Sequence, residues 1–310
     1  MINNEVIFNL GKDMALEVSR AVFEAGRKES LGKVIKEEGA AGHEILLADE
    51  ISEEIIKKSA EMCLAKCPRD VVEKIVTISE GSGIVEYGNK QAEDGIFMVI
   101  DPIDGTNNNV RPWKTPAPAV CVSIALGSIQ DALAQARLES ICAGFVKDIF
   151  GGHMVYATRG QGAYFDDYGK IHSSAITDLK DVVLGVDLDD KKHFDEVLAK
   201  AAPLMKQTKC QRRIGSSILD MWRVATGEYD AYVTISGRMK VYDIAAIKLI
   251  IEEAGGFFEE ILTGEAEENF LRKLLATKDL KCLKDCRFSV VASGNRDLHK
   301  RIKDMLAVTF

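Results

Sequence analysis

A basic face is missing from this chain. Its 40 Lys and Arg are outnumbered by 48 Asp and Glu, leaving a net charge of −8. Nucleic acids and anionic membranes both select for an excess of positive charge, so neither is expected as a partner. Long apolar runs are missing too. The most hydrophobic stretch, residues 116–126, falls far short of the roughly 20 residues a bilayer helix needs. The opening MINNEVIFNLGKDMALEV has no basic start followed by an apolar core, so no signal peptide is expected. Cysteine is sparse and odd in number, 7 in 310 residues, which argues against a disulfide framework and for reduced thiols in the cytoplasm. Cys63/Cys67 and Cys282/Cys286 are each four apart, unlike the CxxC pairs of a zinc site, and packing is their expected role. The 5 histidines fall in no relay or ligand motif. Internal repeats, low-complexity tracts and long linkers are absent.

What is present is the material of a globular protein: 46% hydrophobic and 28% charged residues. At roughly 100–200 residues per domain, the length predicts two packed domains. Residues 5–29 carry Val6, Leu10, Met14, Val18, Val22 and Ala25 on one helical face, and a second helix runs over 49–66. Strands follow at 74–79 and, after a polar Gly-containing connection, at 96–100. More lie at 120–126, 143–147 and 153–158, with a hairpin at 164–171. From about residue 176 strands and helices alternate: strands at 182–186, 210–214, 229–234, 257–260 and 288–292, helices at 191–206, 217–226, 243–254, 265–275 and 297–306. The reading is an α/β protein with an α+β first domain over 1–178 and an α/β second domain over 179–310.

The segment IFMVIDPIDGTNNNV, residues 96–110, carries the chemistry. A buried strand runs into Asp101, turns at Pro102 and presents Asp104 before Gly105 and Thr106. Pro102 fixes its own φ and holds Asp101 extended, so both carboxylates leave the strand on a rigid turn. Gly105 permits close backbone approach, and a helix starting at Thr106 would offer free N–H groups to an anion. Hard oxygen ligands beside a phosphate cradle suit metal-assisted phosphoryl transfer, and metal ions would reverse the acidic local sign. Asp-Pro-x-Asp-Gly also reads as an ordinary surface turn. Glu80, after an apolar strand in TISEGSG, and Asp243, opening a helix in VYDIAAIKLIIEEAGG, are each unremarkable alone. Their order and spacing with Asp101 and Asp104 are what is specific.

That order resembles the inositol monophosphatase family of lithium-sensitive, metal-dependent phosphatases. DPIDGT matches the family's central motif, SEGSG its Glu-containing loop and YDIAAIKLIIEEAGG its second motif. RRIGSSILDMWRVATGEYDAY (212–232) resembles the joining segment, and RGQGAYF (159–165) the hairpin. The resemblance implies a layered αβαβα sandwich with the site between the halves. It further implies one Mg2+ on Glu80, Asp101 and the Ile103 carbonyl, and a second on Asp101, Asp104 and Asp243. Glu80 and Thr106 would activate the attacking water, with Asp49 hydrogen-bonded to Thr106. Asp104, Gly105, Thr106 and Ser217 would contact the substrate.

Two places depart from the family pattern. Ala41, His43, Glu44 and Leu46 stand where an acid and a Thr-Pro or Thr-Lys pair are common, which bears on a third Mg2+. Between Tyr232 and Asp243 the chain reads VTISGRMKVY, with about two extra residues and no acid to grip an inositol ring. Arg238 and Lys240 stand there instead, either as solvated loop residues or as receptors for a second phosphate. The expected substrate is a small phosphorylated metabolite, inositol monophosphate or fructose 1,6-bisphosphate. A 3′-phosphoadenosine 5′-phosphate phosphatase and a catalytically silent binding protein on the same fold are the alternatives. The enzyme is expected to be cytoplasmic, from its cysteine usage, and a homodimer.

Overall fold

The computed structural model describes residues 4–26, 34–36, 45–66, 72–109, 119–134, 138–263, 270–278, 282 and 285–306. Helix α1 (Asn4–Gly26), a short β1–β2 pair (Val34–Lys36, Ile45–Leu46) and α2 (Leu47–Lys66) come first. The strands then follow as β3 (Lys74–Ser79), β4 (Gly83–Gly88), β5 (Ile96–Asp104), β6 (Cys121–Ser128), β7 (Ile141–Asp148), β8 (Met154–Thr158), β9 (Gly162–Phe165) and β10 (Gly169–Lys170). They form one sheet in the order β10-β9-β8-β7-β6-β5-β3-β4, in which only β3 and β5 run parallel. Short helices α3 (Thr106–Asn109) and α4 (Ile129–Ala134) flank β6. Strand β4 falls where the sequence reads as a polar connection. Its side chains are only half buried because it forms the sheet edge, so it lacks the apolar run that marks its neighbours.

The second half supplies β11 (Val183–Asp187), α5 (Phe194–Gln207), β12 (Cys210–Arg212), α6 (Ser217–Ala225), β13 (Ala231–Met239), α7 (Val241–Glu253), β14 (Phe257–Thr263), α8 (Phe270–Thr277), β15 (Arg287–Ser293) and α9 (Arg296–Leu306). Its sheet runs β12-β11-β13-β15-β14, parallel across β12, β11 and β13 and antiparallel beyond. The helix expected over 265–275 begins at Phe270, and residues 264–269 lie outside the described residues.

Three apolar cores make five layers. Val18 and Val22 of α1 and Ile56 of α2 pack on one face of the eight-stranded sheet, against Ile75, Met98 and Ile124. Its other face, through Phe97, Val99 and Val146, meets α6 and α7, and those helices also cover the five-stranded sheet. Leu204 of α5 with Leu298 and Ile302 of α9 close the far side on Leu184 and Val291. Helix α7 is apolar nearly all round, buried from Val241 to Ile251, because it has a sheet on each side. The αβαβα sandwich expected from the sequence is the fold. Among the described residues, no helix is long and apolar enough to cross a membrane.

Candidate active site

Parallel neighbours β3 and β5 end side by side, with Ser79 opposite Ile100, so Glu80 and Asp101 emerge together at one end of the sheet. Asp101 and Asp104 are three apart, a spacing that puts side chains on opposite faces of a regular strand. A bulge corrects this. Asp101 sits opposite Ser123 and Asp104 opposite Cys121, so β5 takes one residue more than β6 and both acids share a face. Pro102, which has no N–H to give, lies inside the bulge. The Ile103 N–H donates to Asp101 Oδ1 at 3.0 Å, and its carbonyl accepts the Thr106 hydroxyl at 3.3 Å.

Gly105 ends the turn at φ 93°, and a Cβ there would lie 2.4 Å from the Ala119 carbonyl oxygen, so only glycine fits. Hydrogen bonds tie the α6 end to this turn. Asn108 Nδ2 donates to the carbonyls of Ala119 at 2.8 Å and Ile214 at 2.9 Å. Ser216 caps α6 by accepting from the Leu219 N–H at 3.2 Å, and its hydroxyl donates to Asp104 Oδ2 at 2.6 Å. The Ile218 N–H also donates to Asp104, at 2.8 Å. Asp243 is the third residue of α7 and reaches back to accept the Lys240 N–H at 2.6 Å.

Glu80, Asp101, Asp104 and Asp243 thus line one cavity of about 250 Å³, together with Ile103, Gly105, Thr106 and Ser217. A larger cavity of about 590 Å³ between α1 and β7 contains none of the predicted residues, so size does not mark the site. Burial is the largest cause of a raised pKa at all four acids, and repulsion between them adds to it most at Glu80 and Asp101. Glu80 is pushed up to about 8 by burial and by Asp243, Asp49 and Asp104. Asp243 rises to about 7, chiefly through burial. Burial and Asp104 drive Asp101 well above its usual value, and burial raises Asp104 against its hydrogen bonds to Ser216 and Ile218.

As they stand, the oxygens are not closed into a cage. Among the described residues no three His, Cys, Asp or Glu side chains are gathered closely enough to chelate an ion. The donor chemistry nevertheless fits a hard divalent cation: buried carboxylate oxygens that repel one another, with the Ile103 carbonyl on the same wall. Two hydroxyls beside them, of Tyr242 and of Ser123 opposite Asp101, are buried without a hydrogen-bond partner among the described residues.

Three expected features are placed elsewhere. Asp49 does not line the cavity. It is the third residue of α2 and accepts the Leu46 N–H at 2.8 Å, with burial raising its pKa to about 6. No hydrogen bond joins it to Thr106 among the described residues, because each side chain is turned to local backbone. Arg238 and Lys240 also miss the cavity. From Thr234 to Met239 β13 takes five steps while β15 takes two, and this excess carries Arg238 outward, where Nη1 donates to the Asp189 carbonyl at 2.6 Å. The Lys240 side chain is buried, and burial followed by Arg287 lowers its pKa. His43 and Glu44 lie outside the described residues.

The cation on the cavity wall is Arg213, with Asp187, Asp189 and Asp220 beside it. Sequence reasoning missed all four. One signal was there to be used: VLGVD, like IFMVID, is an apolar strand that ends in an acid.

The profile of the inositol monophosphatase family matches residues 3–301. The fructose-1,6-bisphosphatase/inositol-1-monophosphatase of Methanothermobacter thermautotrophicus is 32% identical, over 95% of this chain and 94% of its own length. A bifunctional NADP phosphatase/NAD kinase of Methanococcus maripaludis is 28% identical, over 81% of this chain and 42% of its own length. Among solved structures, the extragenic suppressor protein suhB of Bartonella henselae superposes with a TM-score of 0.70 at 23% identity, covering 97% of this chain and 98% of its own. An inositol monophosphatase–fructose 1,6-bisphosphatase superposes at 0.66 and 22% identity, covering 96% and 98%. These two likenesses bear on the fold alone. The chain belongs to the inositol monophosphatase family and is a phosphomonoester hydrolase.

Proposed function

We propose that this enzyme uses Mg2+ to hydrolyse a small sugar or inositol phosphate, with inositol monophosphate and fructose 1,6-bisphosphate as the leading substrates. The observation that carries the reading is the convergence of Glu80, Asp101, Asp104 and Asp243 on one polar cavity. Glu80, Asp101 and the Ile103 carbonyl would hold one ion, and Asp101, Asp104 and Asp243 a second. Bound Mg2+ would neutralise the phosphoryl oxygens and stabilise the leaving alkoxide. The chain's own groups do the rest. Glu80 lines the same cavity as Thr106, and once ionised by the bound cation it takes a proton from the attacking water. Thr106 orients that water, and the amides of Gly105 and Thr106 with Ser217 hold the phosphoryl group. The Methanothermobacter thermautotrophicus relative, matched over 95% of this chain, is named for both substrates, which supports the pair.

The test is phosphate release from a panel of phosphorylated metabolites with Mg2+, with chelator, and with Mg2+ restored. Chelation should abolish release. Asp101→Asn and Asp104→Asn should each cost orders of magnitude in kcat. Activity that survives in either variant would overturn the ligand assignment.

A further inference from the structure

The far wall of the cavity holds a guanidinium that the reaction above leaves unused. Arg213 lies 3.4 Å from Asp187 Oδ1 and closer still to Asp189 Oδ2. All three side chains line the same cavity as Asp104, Thr106 and Ser217. The two acids differ in setting. Asp187 ends β11, its side chain is 18% exposed, and its Oδ1 accepts the Asp189 N–H at 3.0 Å. The Asp189 side chain is 70% exposed, and its backbone carbonyl is held by Arg238 at 2.6 Å. One carboxylate is therefore built into the strand end. The other is a loose partner on a fixed turn.

A guanidinium fork fits carboxylate and phosphate oxygens in the same geometry. An exposed ion pair such as Arg213–Asp189 is weak and readily exchanged. A phosphate dianion offers more charge and more acceptor oxygens than one carboxylate, so it displaces Asp189 where a neutral hydroxyl does not. The acids around Arg213 also repel an anion that fails to engage the guanidinium.

We propose that Arg213 receives a second anionic group of the substrate, remote from the ester being cleaved, and that Asp189 is its intramolecular stand-in. The substrate class this selects is a phosphomonoester with a phosphate at its other end, such as a sugar bisphosphate. Monophosphates of uncharged polyols leave the Arg213–Asp189 pair closed. Arg238 positions the turn that carries Asp189 and does not touch the substrate. This rests on the phosphatase reading above.

The experiment measures phosphate release from fructose 1,6-bisphosphate and inositol 1-phosphate by the full chain with Mg2+. In Arg213→Met the KM for the bisphosphate should rise roughly ten- to hundredfold, the worth of a charge-assisted contact. The KM for inositol 1-phosphate, and kcat for both, should stay within about threefold. Arg213→Lys keeps the charge without the fork and should fall between. Asp189→Asn should lower the bisphosphate KM about two- to fivefold. That gain should vanish in the Arg213→Met background, because it acts through the guanidinium. Equal changes for both substrates in Arg213→Met, or an Asp189→Asn effect that persists without Arg213, overturn the proposal. Absence of phosphate release from either ester by the wild type would instead sink the phosphatase reading. Calorimetric titration of the bisphosphate into wild type and Arg213→Met would then decide: weaker binding to the variant supports the contact, and equal binding refutes it.

Discussion

Removing metal from this protein should make it less stable as pH rises, and rebinding Mg2+ should release protons. Burial and neighbouring acids push Glu80 up to about 8 from 4.5, and burial pushes Asp243 up to about 7 from 3.8. A carboxyl whose folded pKa exceeds its unfolded value holds its proton more tightly when folded. Its contribution is complete below the unfolded pKa, near 4, and is lost as pH climbs through the folded value. Each proton held only by the folded state lowers stability by about 1.4 kcal/mol per pH unit. From pH 6.5 to 8 these two groups together hold on average about one such proton, so the metal-free protein should lose about 2 kcal/mol. His299 does not confuse the comparison, since burial lowers its pKa and its effect lies at lower pH. At pH 7 Glu80 is mostly protonated and Asp243 about half, so saturating Mg2+ should expel on the order of one to two protons. Urea unfolding of the chelated protein at the two pH values reads the first effect. Mg2+ titration calorimetry in buffers of different ionisation enthalpy reads the second. A chelated protein more stable at pH 8 than at 6.5, or a titration heat indifferent to buffer, would refute the assignment of these acids as a shared metal site.

Thr106→Val keeps the shape and removes the hydroxyl, so kcat should collapse with KM little changed. Asp49→Asn should lower kcat less, because its carboxylate bonds the α2 start and reaches the site only through its charge near Glu80, and steady-state kinetics on both variants checks it. Lithium, close to Mg2+ in size with half its charge, should inhibit by taking the Asp101–Asp104–Asp243 position, and activity unaffected by lithium in large excess over Mg2+ would count against that position. Gly105→Ala forces a Cβ onto the Ala119 carbonyl at positive φ and should cost on the order of 1–3 kcal/mol in thermal unfolding, with activity lost even where the variant stays folded.

The layers and the gathering of Glu80, Asp101, Asp104 and Asp243 at one cavity were legible because their signals are local. The alternation in β6, the apolar stripe of α1, and the strands running into Glu80 and Asp101 are each written within a single element. The cavity wall formed by Arg213, Asp187, Asp189 and Asp220 was not legible. Arg213 reaches the cavity only because β12 lies beside β11 and the two acids that follow or end β11 face it. Arg238 looked equally suitable in sequence, but the surplus of residues in β13, absorbed as an irregularity against β15, turns it outward. The Asp49–Thr106 bond carried over from the family depended on two rotamers. In this chain each is taken up by the nearest backbone group. Pairings set by long-range register or by side-chain torsion leave no trace in local pattern.

The hold of Ser216 and Ile218 on Asp104 spans 112 and 114 residues of chain. Until α6 docks on the eight-stranded sheet, Asp104 lacks both of these donors. Catalytic competence should therefore be among the last properties this chain acquires. A refolding experiment would see sheet signals recover before phosphate release does, with the lag set by closure of that loop. The same arrangement makes turnover a sensitive gauge of damage. Any cut or loosening between β6 and α6 that lets the two ends part would silence the enzyme while most of its secondary structure remains.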